Sequence, residues 1–305
     1  MRAVYRHRKG PLFMSSYITR AVTDDGSARI LFADTTEIVA DAAAIHQTSK
    51  TMTAALGRCL TAASLMGSLL KDKDNTLTFQ INGGGPAGKI VCVSDYKGNV
   101  RGYAENPQVE LMPNSAGKLD VGGAVGKDGN ITIIKDMGMG EPYVGMCPLV
   151  SGEIGDDVTR YFAVSEQTPT ICALGVRVNQ DHTVKSAGGF LLQVLPGAED
   201  TVIDRLEANI KLISSVSAMI AHGKRAEDII AAVLQGIAYQ LFDEFDIGYV
   251  CTCSRERYLN ALAGLPQQDL DELAAQEGPV EACCHFCGKK YHFDVEEIRQ
   301  RKAEM

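Results

Sequence analysis

The chain has 305 residues, 45% of them apolar and 22% charged, the balance of a globular protein long enough for two domains. A net charge of −8 and a pI near 5.3 run against nucleic-acid binding, which ordinarily uses a basic surface. The most hydrophobic stretch, Met52 to Leu70, contains Arg58 and two glycines; it reads as a buried helix and not as a membrane span, so no membrane partner is expected.

The first residues, MRAVYRHRKGPLF, are basic but lead into no apolar run of secretory-signal length. Met14 opens MSSYITRAV and looks like a natural start, so residues 1–13 are set apart as an N-terminal extension. Nine cysteines without an export signal point to a reducing compartment, of which the cytoplasm is the simplest.

From Tyr17 the pattern predicts strands at 17–22 and 28–33 around the turn Asp24-Asp25-Gly26-Ser27, then a helix at 36–45 and a long buried helix at 51–70. Strands follow at 76–81, 89–94, 100–104 and 131–135, then a helix at 156–164 and a strand pair at 170–178 and 184–194. Helices and strands mix without βαβ alternation, so residues 14–196 form an α+β core domain. Beyond Pro196-Gly197, residues 197–250 read as a helical linker with no evident core of its own: one helix over 200–222, Gly223 as its stop, and another at 225–234. Residues 251–305 make a small third part, with helices from Ser254 to Ala263, from Gln267 to Gln276, and from a capping-box-like start at Asp294 and Glu297.

That third part carries C-x-C at Cys251 and Cys253 and C-x-x-C at Cys284 and Cys287. Zinc takes four soft or borderline ligands at tetrahedral corners, and each close pair supplies one edge. Gly288 directly after Cys287 suits the positive-φ turn of a metal knuckle, and a unit so short of large apolar residues needs a staple. Cys283 adjoins Cys284; Cys283 with Cys287 would be the less usual C-x-x-x-C, so Cys284 is assigned as ligand and Cys283 as its neighbour. His285 and His292 are expected at the surface, and Cys59, Cys92, Cys147 and Cys172 in the core.

Two stretches imitate nucleotide sites. GGGPAGK at 83–89 matches a phosphate-binding loop, yet Ile90 stands where a Ser or Thr should hold magnesium, and a strand pattern follows instead of a helix. A glycine-rich hairpin turn explains it better, and Gly122 to Gly126 reads as a loop. No Ser-His-Asp or Cys-His signature appears, so no enzyme is expected.

The string CTCSRERYLNALAGL with CHFCGKKYHF resembles the zinc-binding end of the heat-shock protein 33 family of redox-regulated chaperones. TAALGRCLTAA, GNVRGYAENPQV, GKLDVGGAVGKDG, YFAVSEQTPT and AGGFLLQVLPGA extend the resemblance over nearly the whole chain. It implies an ATP-independent holdase, dormant when reduced and zinc-bound, that forms disulfides Cys251–Cys253 and Cys284–Cys287 on oxidation and releases zinc. It also implies unfolded or oxidatively damaged client proteins and a homodimer in the oxidised state. A zinc-ribbon nucleic-acid binder and a thiol-disulfide oxidoreductase remain as alternatives; the acidic balance weighs against the first, and the second cysteine pair against the other.

Overall fold

The computed structural model describes residues 16–305 apart from 139, 214, 276 and 277; the extension at 1–13 and the start at Met14 lie outside the described residues. The architecture is α+β, in two compact units that divide between Tyr249 and Val250.

The larger unit contains two antiparallel five-stranded sheets. One is ordered β10-β1-β2-β9-β8, from Tyr239–Asp246, Tyr17–Thr23, Ala28–Asp34, Val184–Val194 and Thr170–Val178. The other is ordered β5-β4-β3-β6-β7, from Val100–Ala104, Ile90–Asp95, Thr76–Gly84, Gly126–Asp136 and Tyr143–Pro148. The helices α1 (Thr36–His46), α2 (Lys50–Gly67), α3 (Val121–Val125) and α4 (Gly155–Val164) contribute to the main core with both sheets. α2 packs on β2, β8 and β9 and also on β3, β4 and β5.

Contact with both sheets explains the composition of α2. Every residue from Thr51 to Gly67 except Arg58 is buried, which a run of Ala, Thr, Leu, Met and Gly permits. Arg58 is held by the Glu153 carboxylate at 2.5 Å. Ser49 starts the helix, its hydroxyl accepting from the Met52 N–H at 3.1 Å. At Gly57 a Cβ would stand 2.7 Å from Val39 and 2.9 Å from Val176, so only glycine allows this approach.

The first hairpin turns as its sequence predicts: Gly26 has φ +72, and the Asp25 carboxylate accepts from the Ser27 N–H and hydroxyl at 3.0 and 2.7 Å. The false phosphate loop is the end of β3 running into β4, as expected. Its glycines serve close backbone packing, since a Cβ on Gly83 would meet the Gly126 carbonyl oxygen at 2.2 Å. Gly122 to Gly126, expected as a loop, instead ends α3 and opens β6, with Asp120 accepting from the Gly123 N–H at 3.0 Å. β7 was not expected; it is an edge strand whose Tyr143, Val144 and Met146 are exposed, so it lacks the run of buried positions by which a strand is recognised.

The stretch read as a helical linker differs most. The helix expected over 200–222 is two, α5 (Asp200–Leu212) and α6 (Val216–Ala221), because Ile213 is extended and Ser215 caps a new start. α7 (Ala226–Val233) follows, and residues 239–246 form β10, which pairs with β1. This layer does have a core: Leu206, Val216, Ile229, Ile230 and Val233 cluster with Tyr17, Ile30, Phe32 and Phe190 on the sheet.

The smaller unit runs from Val250. It contains α8 (Arg255–Ala263), α9 (Gln267–Ala274), the hairpin β11 (Val280–Cys283) and β12 (Lys290–Phe293), and α10 (Val295–Ala303). Ser254 caps α8, accepting from the Arg257 N–H at 3.2 Å. The capping box at α10 is half formed: the Asp294 side chain makes no cap bond, while Glu297 accepts from the Asp294 N–H and also forks onto Arg255. Among the described residues no helix is long and apolar enough to cross a membrane.

Candidate metal centre

Two local structures bring the cysteines together. Cys251 and Cys253 lie in the extended chain just before the cap of α8. Cys284 and Cys287 lie in the tight turn of the β11–β12 hairpin, where the Cys284 N–H donates to the Lys289 carbonyl at 2.9 Å and the Gly288 N–H to the Cys284 carbonyl at 2.8 Å. Gly288 takes φ +68, the left-handed turn expected of it. The hairpin therefore forms a knuckle with both sulfurs on its inner side.

The Sγ atoms of Cys251, Cys253, Cys284 and Cys287 lie within 4.8 Å of one another. Cys251 and Cys284 approach to 3.7 Å, and Cys253 and Cys287 to 3.4 Å. Four thiolates about 2.3 Å from a tetrahedral ion stand roughly 3.8 Å apart, so these residues fit a four-coordinate metal. The donor set, soft and all sulfur, suits a soft or borderline metal and not hard cations such as calcium or magnesium. Cys283 is exposed, with its Sγ 3.6 Å from the Gly288 carbonyl, and stands outside the cluster. His285 and His292 are exposed and outside it as well, with His292 beside Glu281 at 3.8 Å.

Two tyrosines complete the surroundings. The Tyr291 hydroxyl lies 3.2 Å from Cys253 Sγ, and Tyr258 stacks on Tyr291 with ring centroids 5.2 Å apart. Nothing in the spacing of the sequence separated these residues from ordinary core aromatics. Their proximity disperses charge on the sulfurs, as polar neighbours of metal ligands do. The thiols respond unequally to the site. Burial pushes Cys251 up to about 11 and raises Cys287 further. Cys284 is lowered to about 7, because hydrogen bonds from Tyr258 and from the backbone N–H groups of Cys287 and Phe286 outweigh its burial.

The remaining cysteines behave as expected of core residues. Cys59, Cys92, Cys147 and Cys172 are all buried in the larger unit, and burial raises Cys59, Cys92 and Cys172 far out of the reactive range.

The smaller unit has little else to hold it. Among the described residues its buried apolar side chains besides the cysteines are Ala263, Leu270, Tyr291, Phe293 and Ile298, with Tyr258, Leu259 and Leu262 partly buried beside them. That is less than a unit of this size ordinarily requires, so a bound ion would be its main cross-link.

Comparison with known proteins places the site in context. The family model described as "Hsp33 protein" matches residues 16–294. The chain is 45% identical over 292 residues to the 33 kDa chaperonin of Alkaliphilus metalliredigens, covering 96% of this chain and all of that protein. It is 45% identical over 289 residues to the 33 kDa chaperonin of Geobacillus kaustophilus, covering 95% and 98% of the two chains. The crystal structure of the 33 kDa chaperonin (heat shock protein 33 homolog) of Thermotoga maritima superposes with a TM-score of 0.88 at 34% identity, covering 95% of this chain and 99% of that one. With agreement in sequence and fold along almost its entire length, the chain belongs to the Hsp33 family of chaperones.

Proposed function

We propose that the protein is a redox-regulated, ATP-independent holdase, dormant while Cys251, Cys253, Cys284 and Cys287 are reduced and hold zinc, and active once they are oxidised. The observation that carries this reading is the convergence of four sulfurs within 4.8 Å in a unit with so small a core of its own. Zinc bound there would supply the cross-link that keeps the unit folded. Membership of a chaperone family supports the client-binding half of the reading.

The chemistry belongs to the thiolates. A peroxide transfers one oxygen, as OH, to a thiolate of a close pair, giving a sulfenic acid, and its other oxygen leaves as hydroxide. The neighbouring thiolate then attacks that sulfur, forms the S–S bond and expels a second hydroxide, so each pair loses two electrons to one peroxide. The proposed pairs are Cys251–Cys253 and Cys284–Cys287. The four sulfurs lie within 4.8 Å of one another, whereas an S–S bond holds two of them about 2.05 Å apart. Bonding within each pair therefore draws the sulfurs out of the cluster, which couples oxidation to opening of the unit. Neither disulfide offers the anionic donors that hold the ion.

Opening would loosen residues 197–250, and the apolar surface they cover would take up unfolded or oxidatively damaged clients, with the oxidised chains associating as dimers. A reducing compartment, the cytoplasm, suits the resting state. No catalytic turnover is part of this reading. Peroxide treatment of the zinc-loaded protein is expected to release one zinc per chain and to give the two proposed disulfides on peptide mapping. Zinc that stays bound after the thiols have reacted would make the site structural only.

A further inference from the structure

Arg20 and Arg29 lie on the face of the first sheet that meets α2, where the register Arg20↔Leu31 and Val22↔Arg29 makes them diagonal neighbours. Arg20 is tied at its tip. One nitrogen donates to the Ser68 carbonyl beyond α2 at 2.6 Å, another stands 3.5 Å from Asp243, and the guanidinium lies 4.8 Å from the centre of the Phe245 ring. Its Nε is buried and has no hydrogen-bond partner among the described residues. Arg29 is tied at its stem: Nε donates to Gln193 Oε1 at 2.8 Å, and the Gln193 amide donates in turn to Thr170 Oγ1 at 3.1 Å. No carboxylate among the described residues pairs with Arg29, whose guanidinium is pulled down from its ordinary value by burial and by the charge of Arg20.

Both side chains line a cleft of about 570 Å³, with Lys71, Ser68, Leu70 and Phe242 among its other walls. A bulge shapes one wall: the pairing of β1 with β10 slips between Thr19 and Ala21, so that Phe242 and Asp243 together oppose Arg20. Three cationic side chains thus meet one carboxylate, Asp243, in a protein whose net charge is −8. The carbonyl end of α2 adds partial negative charge, and Arg20 covers it. A half-buried arginine without a counter-charge is costly unless something supplies one. Guanidinium forks match phosphate oxygens in geometry, and three cations match a multiply charged anion better than a single carboxylate.

We propose that this cleft is an anion site that takes a compact polyphosphate group, with the forks of Arg29 and Arg20 on its oxygens and Lys71 at the rim. The cleft exceeds the room one phosphate needs, so pyrophosphate is expected to bind more tightly than orthophosphate. The group could be a free anion or the phosphate chain of a nucleotide, and the two differ in what the apolar wall at Leu70 and Phe242 adds.

The test is isothermal titration calorimetry on the full-length, reduced, zinc-loaded protein with orthophosphate, pyrophosphate and ADP, zinc content being followed in the same samples to separate binding from chelation. Saturable binding of one pyrophosphate per chain is expected, weakened at least tenfold in Arg29→Gln, partly restored in Arg29→Lys, and weakened several-fold in the surface variant Lys71→Gln. ADP binding more tightly than pyrophosphate would identify a nucleotide as the ligand; equal or weaker binding would identify the free anion. Absence of saturable binding at millimolar pyrophosphate, or binding unchanged in both Arg29→Gln and Lys71→Gln, would overturn the proposal.

Discussion

Cys284 and Cys283 are adjacent in the chain, yet they are opposite in environment. The first is buried with its sulfur in the cluster, and the second is exposed with its sulfur on a carbonyl. Cys284→Ser is therefore expected to abolish stoichiometric zinc binding, and Cys283→Ser to leave it intact, as measured by colorimetric zinc assay after thiol modification; the opposite result would move the ligand register by one residue. The unequal thiols give a pH prediction for the reduced protein immediately after metal removal, while the small unit still holds this fold. Cys284 sits near 7 and Cys251 near 11, so the nucleophilic thiolate of Cys284 is present above neutrality and lost below it, while Cys251 stays protonated. In a Cys283→Ser background, brief iodoacetamide labelling read by mass spectrometry should mark Cys284 before Cys251 at pH 7.5, with the rate falling as pH drops below 7. Tyr291→Phe removes a hydroxyl 3.2 Å from Cys253 and is expected to weaken zinc affinity roughly tenfold in chelator competition, the lower end for polar neighbours of metal ligands. The four clustered cysteines were legible because close cysteine pairs are a local signal. Tyr258 and Tyr291 were not, since their relation to the sulfurs is made only by the hairpin and by α8 folding onto it.

Among the elements, those with a clear period were legible and those set by neighbours were not. β8 and β9 match the expected 170–178 and 184–194, and α2 starts one residue before its expected range and ends three residues short of it. α3 and β7 escaped because one is a capped turn of five residues rich in glycine and the other an exposed edge. The break between α5 and α6 depends on Ser215 finding the Ala218 N–H, a choice that the continuous apolar spacing of 200–222 conceals. Two core substitutions probe different layers. Leu60→Ala in the middle of α2 leaves a cavity between two sheets and is expected to cost about 2–5 kcal/mol in chemical denaturation. Ile230→Asp places a carboxylate in the cluster that joins α7 to the sheet. Under the proposed function it should loosen that layer and give the reduced protein both dye-detectable apolar surface and some suppression of client aggregation; an unchanged, inactive reduced protein would count against a role for this layer in the switch.

At the scale of the whole molecule, the two units differ in what holds them: a large α+β body with two hydrophobic clusters, and a small unit whose described interior is five buried apolar side chains and four sulfurs. The α+β class was legible in the irregular order of helices and strands. The layer at 197–250 was misjudged as having no core because its apolar residues pack on sheet residues that lie earlier in the chain, from Tyr17 to Leu192, which spacing alone cannot reveal. The disparity between the units is the physical basis of the proposed switch: a body that survives oxidation, and a small unit that depends on reduced sulfur. The most direct test is light scattering from a thermally unfolding client mixed with reduced, zinc-loaded protein or with peroxide-treated protein, with zinc release recorded in parallel. The account predicts aggregation unaffected by the reduced protein and suppressed by the oxidised protein in step with zinc loss. Equal protection by both forms would contradict it.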